Sequence, residues 1–477
     1  MAETVVGVFL EQAERRGSAP FLHRWNGSDW EALSWRECRT RVLRTGAALV
    51  AEGVAAGEAV VLLSENRVEW ILADHGIQAA GGVTVPVYAT STADTIAKIV
   101  ANCKARLAIV GATKLAANLP SGVKVVEMDR ELARWMAGDP PESAQAELKR
   151  RLAELKPSDV ASIIYTSGTT GDPKGVVLAH SNFVQMARAT LEDFSVGPED
   201  SLLSFLPFSH VFERQSGVVI AIMAGAEIWI SRGIDHLAED IAGVNPTLML
   251  GVPRMFEKIV DRIRDTVRRQ PFWKRVLFDL AIAGKLGPPG DAILKPVRLR
   301  VGGKRLRMFI SGGSPLSQDV EAFFWALGIP IYNGWGMTET TSGATANTPA
   351  AHRYGTVGKA LPGVELKIAS DGELLVRGPG VLREYSHNPK ATEEALEDGW
   401  LRTGDIAEID ADGFVRITDR KKDLLKTSGG KFVAPQPIEA ALQAKRPIQT
   451  AVLVGDDRPH APPLLVAKWE LLPPDLC

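Results

Sequence analysis

The sequence predicts a mixed α/β protein: a large body of helix-covered, largely parallel sheets, then a small β-rich, barrel-like unit. Three observations carry this prediction. Short apolar runs alternate with helical patterns through the first half, as βα units do. After about Gly355 the helices give way to short strands separated by Gly and Pro turns. At 477 residues, the chain is about three times the ~150 residues of a typical domain.

The elements follow in order. Apolar residues at helical spacing run from Trp35 to Glu52, and Gly53 stands where a helix places its C′ glycine. Ala59 to Leu63 reads as a buried strand, Val68 to Ala80 as a helix, and Val83 to Val87, Leu107 to Val110 and Val123 to Val126 as further strands. The alternation continues through a strand at Ile163 to Tyr165, a helix from Ser181, a strand at Leu202 to Leu206 and a helix from Val211. The β-rich unit is read from Gly363 to Ile368, Gly372 to Val376, Ile406 to Ile409 and Phe414 to Ile417. The charged segment Asp419 to Asp423 suits a hinge or linker. Beyond it a helix around Pro437 to Gln443 and strands near Ala451 to Val454 and Leu464 to Val466 make a unit small for an independent core.

Composition narrows the function. The chain carries 55 Lys and Arg against 57 Asp and Glu, a net charge of -2, which argues against global attraction to nucleic acid. Cys38, Cys103 and Cys477 are too few for a disulfide scaffold and form no C-x-x-C pair, pointing to the cytoplasm. The longest apolar run, Gly217 to Ala226, is about half of the ~20 residues a membrane span needs. Glu3 and the lack of a basic start do not suit a signal peptide. One stretch is biased: Arg254 to Arg307 holds 15 basic and 5 acidic residues. A solvated helical face is the ordinary reading; the sharper one is peripheral contact with acidic lipid headgroups at the inner face of a membrane, or with a phosphorylated cofactor. Aromatics are not interleaved with the charges, so no nucleic acid partner is expected.

Four motifs carry chemistry. The first, Tyr165-Thr166-Ser167-Gly168-Thr169-Thr170-Gly171-Asp172-Pro173-Lys174-Gly175, follows an apolar strand. Its glycines let backbone N–H groups approach phosphate oxygens, its hydroxyls add donors and its lysine adds charge. Pro173 before the lysine rules out a Walker A loop, and Tyr165 rules out a nucleophile elbow. The second is Tyr332-Asn333-Gly334-Trp335-Gly336-Met337-Thr338-Glu339-Thr340, where flanking glycines free the Trp335 face for a planar ligand and Thr338 and Glu339 offer oxygens to phosphate and metal. The third, Trp400-Leu401-Arg402-Thr403-Gly404-Asp405, places a carboxylate suited to paired ribose hydroxyls, or to a turn. The fourth runs from Asp419 through Arg420, Lys422 and Lys426 to Gly429, Gly430 and Lys431.

In this order and spacing the four motifs resemble the adenylate-forming superfamily of acyl-CoA synthetases, peptide-synthetase adenylation domains and luciferases, over about residues 5 to 470. The run from Phe205 to Arg214, the run from Val252 to Lys258 and the segment from Lys426 to Pro435 are similar to long-chain fatty acyl-CoA synthetases. The resemblance implies a ligase that uses ATP, Mg²⁺ and coenzyme A: a fatty carboxylate is adenylated with release of pyrophosphate, then passed to the thiol. It implies an N-terminal domain over 1–418, with the β-rich subdomain at about 355–418, and a hinge with a partial, truncated α+β C-terminal domain over 419–477.

Carried over residue by residue, Ser167, Gly168, Thr169, Thr170, Gly171 and Lys174 hold the β- and γ-phosphates. Thr166 and Glu339 bind Mg²⁺, hard oxygen donors for a hard cation. Trp335 stacks on adenine, with Gly313, Ser314, Asn333, Gly334 and Gly336 beside the nucleotide. Thr338 meets the α-phosphate, and Asp405 and Arg420 the ribose. Lys422 is the hinge, and Gly429, Gly430 and Lys431 line the path of the thiol. His210 stands near the acyl carboxylate, or is a satisfied core histidine.

Two departures from the family pattern are visible. The late lysine of the C-terminal domain has no match, since Lys468 lies in the wrong context, and the resemblance therefore implies impaired adenylation. The segment between Ala283 and Gly302 is short for the long-chain type. Two alternatives stand beside the fatty acid–CoA ligase: an acyl-adenylate ligase that loads a carrier protein or takes a specialised acid, and a nucleotide- and acyl-binding fragment with little turnover.

Overall fold

The computed structural model describes residues 3–166, 172–426, 432–433, 435, 438–439, 442, 448–455 and 461–467. Two large mixed sheets and one antiparallel sheet organise the chain. The nine-stranded sheet runs Lys359–Ala360, Thr345–Ala346, Ile331–Trp335, Met308–Ser311, Leu248–Gly251, Ser201–Ser204, Glu227–Ile230, Pro20–Trp25, Trp30–Ser34. Its inner strands are parallel, and its edges turn antiparallel. The seven-stranded sheet runs Glu384–Tyr385, Lys174–Ala179, Val160–Thr166, Val83–Val87, Ala59–Leu63, Leu107–Val110, Lys124–Glu127.

The apolar runs have a simple cause. Helices cover both faces of a parallel sheet, so Ala59–Leu63 and Val83–Val87 are buried at every position. The helix Trp35–Ala51 starts with a reciprocal capping box: the Ser34 hydroxyl accepts from the Glu37 N–H, and the Glu37 carboxylate accepts from the Ser34 N–H. It ends before Gly53, whose φ of +80° only glycine adopts freely.

Several expectations shift. The strand read at Leu202 to Leu206 is Ser201–Ser204, and the Leu206 carbonyl instead accepts from the Asn66 side chain. The helix read from Val211 is a π-helical segment, Phe212–Val219, continuing as the helix Ile220–Ala224. The charged segment 419–423 is only partly a connector. Asp419 and Arg420 finish the strand Val415–Arg420, with Asp419 fully buried. Lys421 donates to Asp371 at 2.7 Å and Glu373 at 2.8 Å.

The antiparallel sheet contains Glu365–Ile368, Glu373–Arg377, Trp400–Ile409, Leu396–Glu397 and Val415–Arg420; its pairing path is open at Glu365–Ile368. Residues 359–360 still belong to the nine-stranded sheet. Between strands of the antiparallel sheet, the chain returns to the seven-stranded one: Glu384 pairs with Val177 and Tyr385 with Val176. This return brings Tyr385 to the site described below. Near the C-terminus, the strands expected near 451–454 and 464–466 are Ile448–Leu453 and Pro463–Ala467, and they pair antiparallel. The helix expected at 437–443 is described only at Ile438, Glu439 and Leu442, which are helical.

Cys38 and Cys103 are buried free thiols. Among the described residues no helix is long and apolar enough to cross a membrane.

Candidate active site

The ends of the two large sheets and the antiparallel sheet enclose a cavity of about 1050 Å³. Its lining includes the polar side chains Lys174, His210, Glu339 and Arg420 with Trp335, and an apolar wall in which Leu248 and Leu250 lie beside Met308 and Ile310 on neighbouring strands, with Phe194 and Ile220 also lining the cavity. An amphiphilic ligand with a charged head fits such a division.

Trp335 ends the strand Ile331–Trp335, and its indole N–H donates to Asp405 Oδ2 at 2.9 Å. The other Asp405 oxygen lies 3.2 Å from Arg420 Nε, because Asp405 and Arg420 face each other across adjacent antiparallel strands. The second, third and fourth motifs therefore meet at one carboxylate. Burial raises the Asp405 pKa, opposed by the charge of Arg420 and the bond from Trp335. With its N–H edge held by Asp405, Trp335 lines the cavity, and a carboxylate holding two donors keeps lone pairs for more.

The chain beyond Trp335 turns sharply. A Cβ on Gly336 would stand 1.5 Å from the Ser342 carbonyl oxygen, so no other residue fits. Thr341 and Ser342 both hold positive φ, +53° and +82°, an arrangement that costs energy in non-glycine residues. The Thr341 hydroxyl donates to the Gly380 carbonyl at 2.7 Å and helps keep the turn. This turn presents Thr338 and Glu339 to the cavity.

Glu339 is 7% exposed and accepts a 2.7 Å hydrogen bond from the Tyr385 hydroxyl. Burial raises its pKa, against the Tyr385 bond and the charges of Arg420 and Lys174. Lys174 opens the strand Lys174–Ala179 directly opposite Thr166, and its Nζ lies 5.4 Å from the Tyr385 ring centroid. Lys174, Tyr385 and Glu339 thus form a chain of contacts along the polar wall, with Thr166 on the same cavity. Tyr385 escaped the sequence reading. The available signal was the Asn388–Pro389 helix start three residues on, which fixes a turn there.

The Mg²⁺ implied by the resemblance can be tested against these donors. Among the described residues no group of three or more His, Cys, Asp or Glu could hold a metal alone. Magnesium rarely asks for one; it takes one or two protein oxygens and fills its shell with water and phosphate. A buried carboxylate and a threonine hydroxyl on the same cavity fit that chemistry.

His210 is not a core histidine. It lines the cavity, its ring 6.5 Å from that of Tyr88, and Nδ1 accepts from the Phe212 N–H at 3.0 Å. That bond leaves the ring proton on Nε2, and burial by the surrounding protein lowers its pKa. The segment bearing His210 is anchored by Arg214. Arg214 pairs bidentately with Asp74 at 2.6 and 3.0 Å and donates to the Ser162 hydroxyl at 2.6 Å. Ser162 lies on the strand that ends at Thr166, so one buried cation braces both segments.

The remaining expectations divide. Gly313, at φ +86°, Gly334, Gly336 and Lys422 line the cavity, and Ser314 is exposed beside Gly313. Asn333 does not line it: it is buried, with its amide directed to the Thr356 carbonyl at 3.3 Å. Ser167, Gly168, Thr169, Thr170, Gly171, Gly429, Gly430, Lys431 and Lys468 lie outside the described residues.

Comparison with known proteins gives the family. Residues 9–386 match the family model described as AMP-binding enzyme. The long-chain-fatty-acid–CoA ligase FadD15 of Mycobacterium bovis is 34% identical over 475 residues, covering 92% of this chain and 78% of the relative. The mouse long-chain-fatty-acid–CoA ligase ACSBG2 is 31% identical over 520 residues, covering 98% and 77%. Among solved structures, a Mycobacterium tuberculosis fatty acyl CoA synthetase superposes with a TM-score of 0.73 at 23% identity, covering 99% of this chain and 90% of that one. An ATP-bound RpMatB-BxBclM chimera reaches 0.80 at 24% identity, with the same coverage.

Proposed function

The chain belongs to the AMP-binding enzymes, an ATP-dependent fatty acid–CoA ligase, and we propose that its reaction runs in the cavity between Lys174, His210, Trp335 and Glu339. The substrates are a long-chain fatty acid, ATP with Mg²⁺, and coenzyme A. An oxygen of the fatty carboxylate attacks the α-phosphorus of ATP, the bond to the bridging β-oxygen breaks, and pyrophosphate leaves. The thiol sulfur then attacks the acyl carbonyl, AMP leaves, and the thiol proton passes to solvent.

The site's work is to position two anions and to offset charge as it develops. Trp335 lays its face on adenine while Asp405, held by Trp335 and Arg420, accepts from the ribose hydroxyls. Lys174 meets the β- and γ-phosphates together with residues 167–171, and Thr338 meets the α-phosphate. Glu339 and Thr166 would hold Mg²⁺, which when bound draws negative charge from the phosphate oxygens. His210 donates from Nε2 to the fatty carboxylate, fixing the attacking oxygen, and the apolar wall takes the chain. Lys422, just past the strand Val415–Arg420, acts as hinge between the large domain and the C-terminal part of the chain, with Gly429, Gly430 and Lys431 on the path of the thiol. Peripheral membrane contact through residues 254–307 belongs to the same reading.

One observation carries the assignment: Trp335, Asp405 and Arg420, from three separate motifs, join beside a cavity with an apolar wall. Isotope exchange between pyrophosphate and ATP tests it. Exchange should require a fatty acid and rise with chain length; exchange without any acid would remove the basis for the assignment.

A further inference from the structure

The ten residues from Arg268 to Leu277 are all exposed, at the corner between the helices Pro253–Arg268 and Phe272–Ile282. The run contains four cations, Arg268, Arg269, Lys274 and Arg275, four large apolar side chains, Phe272, Trp273, Val276 and Leu277, and no acid. Phe272 is 75% exposed and Trp273 58%. The apolar four sit at i, i+1, i+4 and i+5, which one helix face presents together. The helix packs inward through Phe278 and Ala281, so it is held by its other side. Among the described residues Arg269, Lys274 and Arg275 make no ion pair, and Arg268 has only Asp265 at 2.9 Å. Lys274 Nζ lies 5.4 Å from the Trp273 ring.

We propose that this corner is an interfacial anchor that seats the protein on an anionic lipid bilayer. Phe272, Trp273, Val276 and Leu277 enter the headgroup boundary while the four cations meet lipid phosphates. The pairing of exposed aromatics with cations and no acid selects this occupant: a purely apolar partner leaves the cations unmatched, and a purely acidic one leaves the aromatics in water. The helix Pro253–Arg268, which carries the corner at its C-terminal end, reaches a cavity strand at its other end. Phe256, on the first helix, packs 5.1 Å from Phe309, whose strand supplies Met308 and Ile310 to the apolar cavity wall. The proposal rests on the reading that the substrate is a long-chain fatty acid, which partitions into membranes.

Flotation with vesicles tests it. The protein should float with phosphatidylcholine vesicles containing about one-third phosphatidylglycerol, and not with phosphatidylcholine alone. Phe272→Ser with Trp273→Ser should lower the partition coefficient about ten- to a hundredfold. Lys274→Glu with Arg275→Glu should lower it by at least about twentyfold, and molar salt should do the same to the wild type. All these side chains are exposed, so unchanged melting temperatures are expected. Acyl-CoA synthesis from detergent-dispersed fatty acid should also be unchanged, which separates failure of the anchor from failure of the ligase reading. Wild-type partition by both variants would overturn the proposal. So would a dimer in sedimentation that Phe272→Ser with Trp273→Ser dissolves, since a second copy would then cover this face.

Discussion

Removing Arg214 should destabilise the protein strongly, and removing its partner as well should restore most of the loss. Arg214 is 1% exposed and Asp74 2%, and the pair is closed by two charge-assisted bonds, with a third from Arg214 to Ser162. The rings of Trp70 and Phe183 flank the guanidinium at 5.8 and 5.3 Å. Arg214→Met keeps the aliphatic stem against those rings but leaves Asp74 charged and unpaired in the core. Such a loss costs about 3–5 kcal/mol, whereas replacing both members with apolar side chains is often close to neutral. Urea unfolding at pH 7 should show about that loss for Arg214→Met, a similar one for Asp74→Leu, and a double variant well short of their sum. The pH dependence gives an independent check. Burial pushes Asp74 up, but Arg214, His75 and hydrogen bonds outweigh it and hold its pKa below the ordinary 3.8. The wild-type pair therefore stabilises above that value and its contribution fades as pH falls through the folded pKa. In Arg214→Met the sign reverses: a buried, unpaired carboxyl has a raised pKa, so the variant's deficit should shrink from pH 8 to pH 5. Additive losses with no pH dependence would refute the reasoning.

Other consequences follow from the polar wall. Lys174→Ala and Asp405→Ala should each weaken ATP binding roughly ten- to a hundredfold in calorimetric titration, the value of a charge-assisted bond of about 1.5–3 kcal/mol. Glu339→Gln should raise the Mg²⁺ concentration needed for half-maximal pyrophosphate release while leaving the melting temperature in place; a drop in stability with unchanged Mg²⁺ dependence would assign Glu339 a structural role. Tyr385→Phe removes the bond that stabilises ionised Glu339, so its Mg²⁺ requirement should exceed the wild type's by more at pH 6 than at pH 8. Gly336→Ala places a Cβ against the Ser342 carbonyl, and nucleotide binding should be lost with the turn.

The parallel strands were legible because both faces are covered, which writes unbroken apolar runs such as Ala59–Leu63 into the chain. The antiparallel pair Pro20–Trp25 and Trp30–Ser34 was missed, although Asn26–Gly27 between them is a hairpin signature and Gly27 takes φ +106°. Its place beside Glu227–Ile230 depends on a contact across some two hundred residues, which no local pattern records. The motifs named Trp335, Glu339, Asp405 and Arg420 individually, but not the bonds between them. Tyr385 and Asp74 were overlooked for the same reason. Each looks ordinary in sequence, and gains its meaning from a partner 46 or 140 residues away. Asn333 shows the opposite error: it sits within a motif on the cavity yet serves the backbone behind it.

The most direct test of the account is a product balance. Purified protein would be given ATP, Mg²⁺, a long-chain fatty acid and coenzyme A, and the products quantified by mass spectrometry. The account predicts AMP, pyrophosphate and acyl-CoA in equal amounts, all abolished by omitting the fatty acid. ADP with inorganic phosphate, or AMP formed without any thioester, would contradict it.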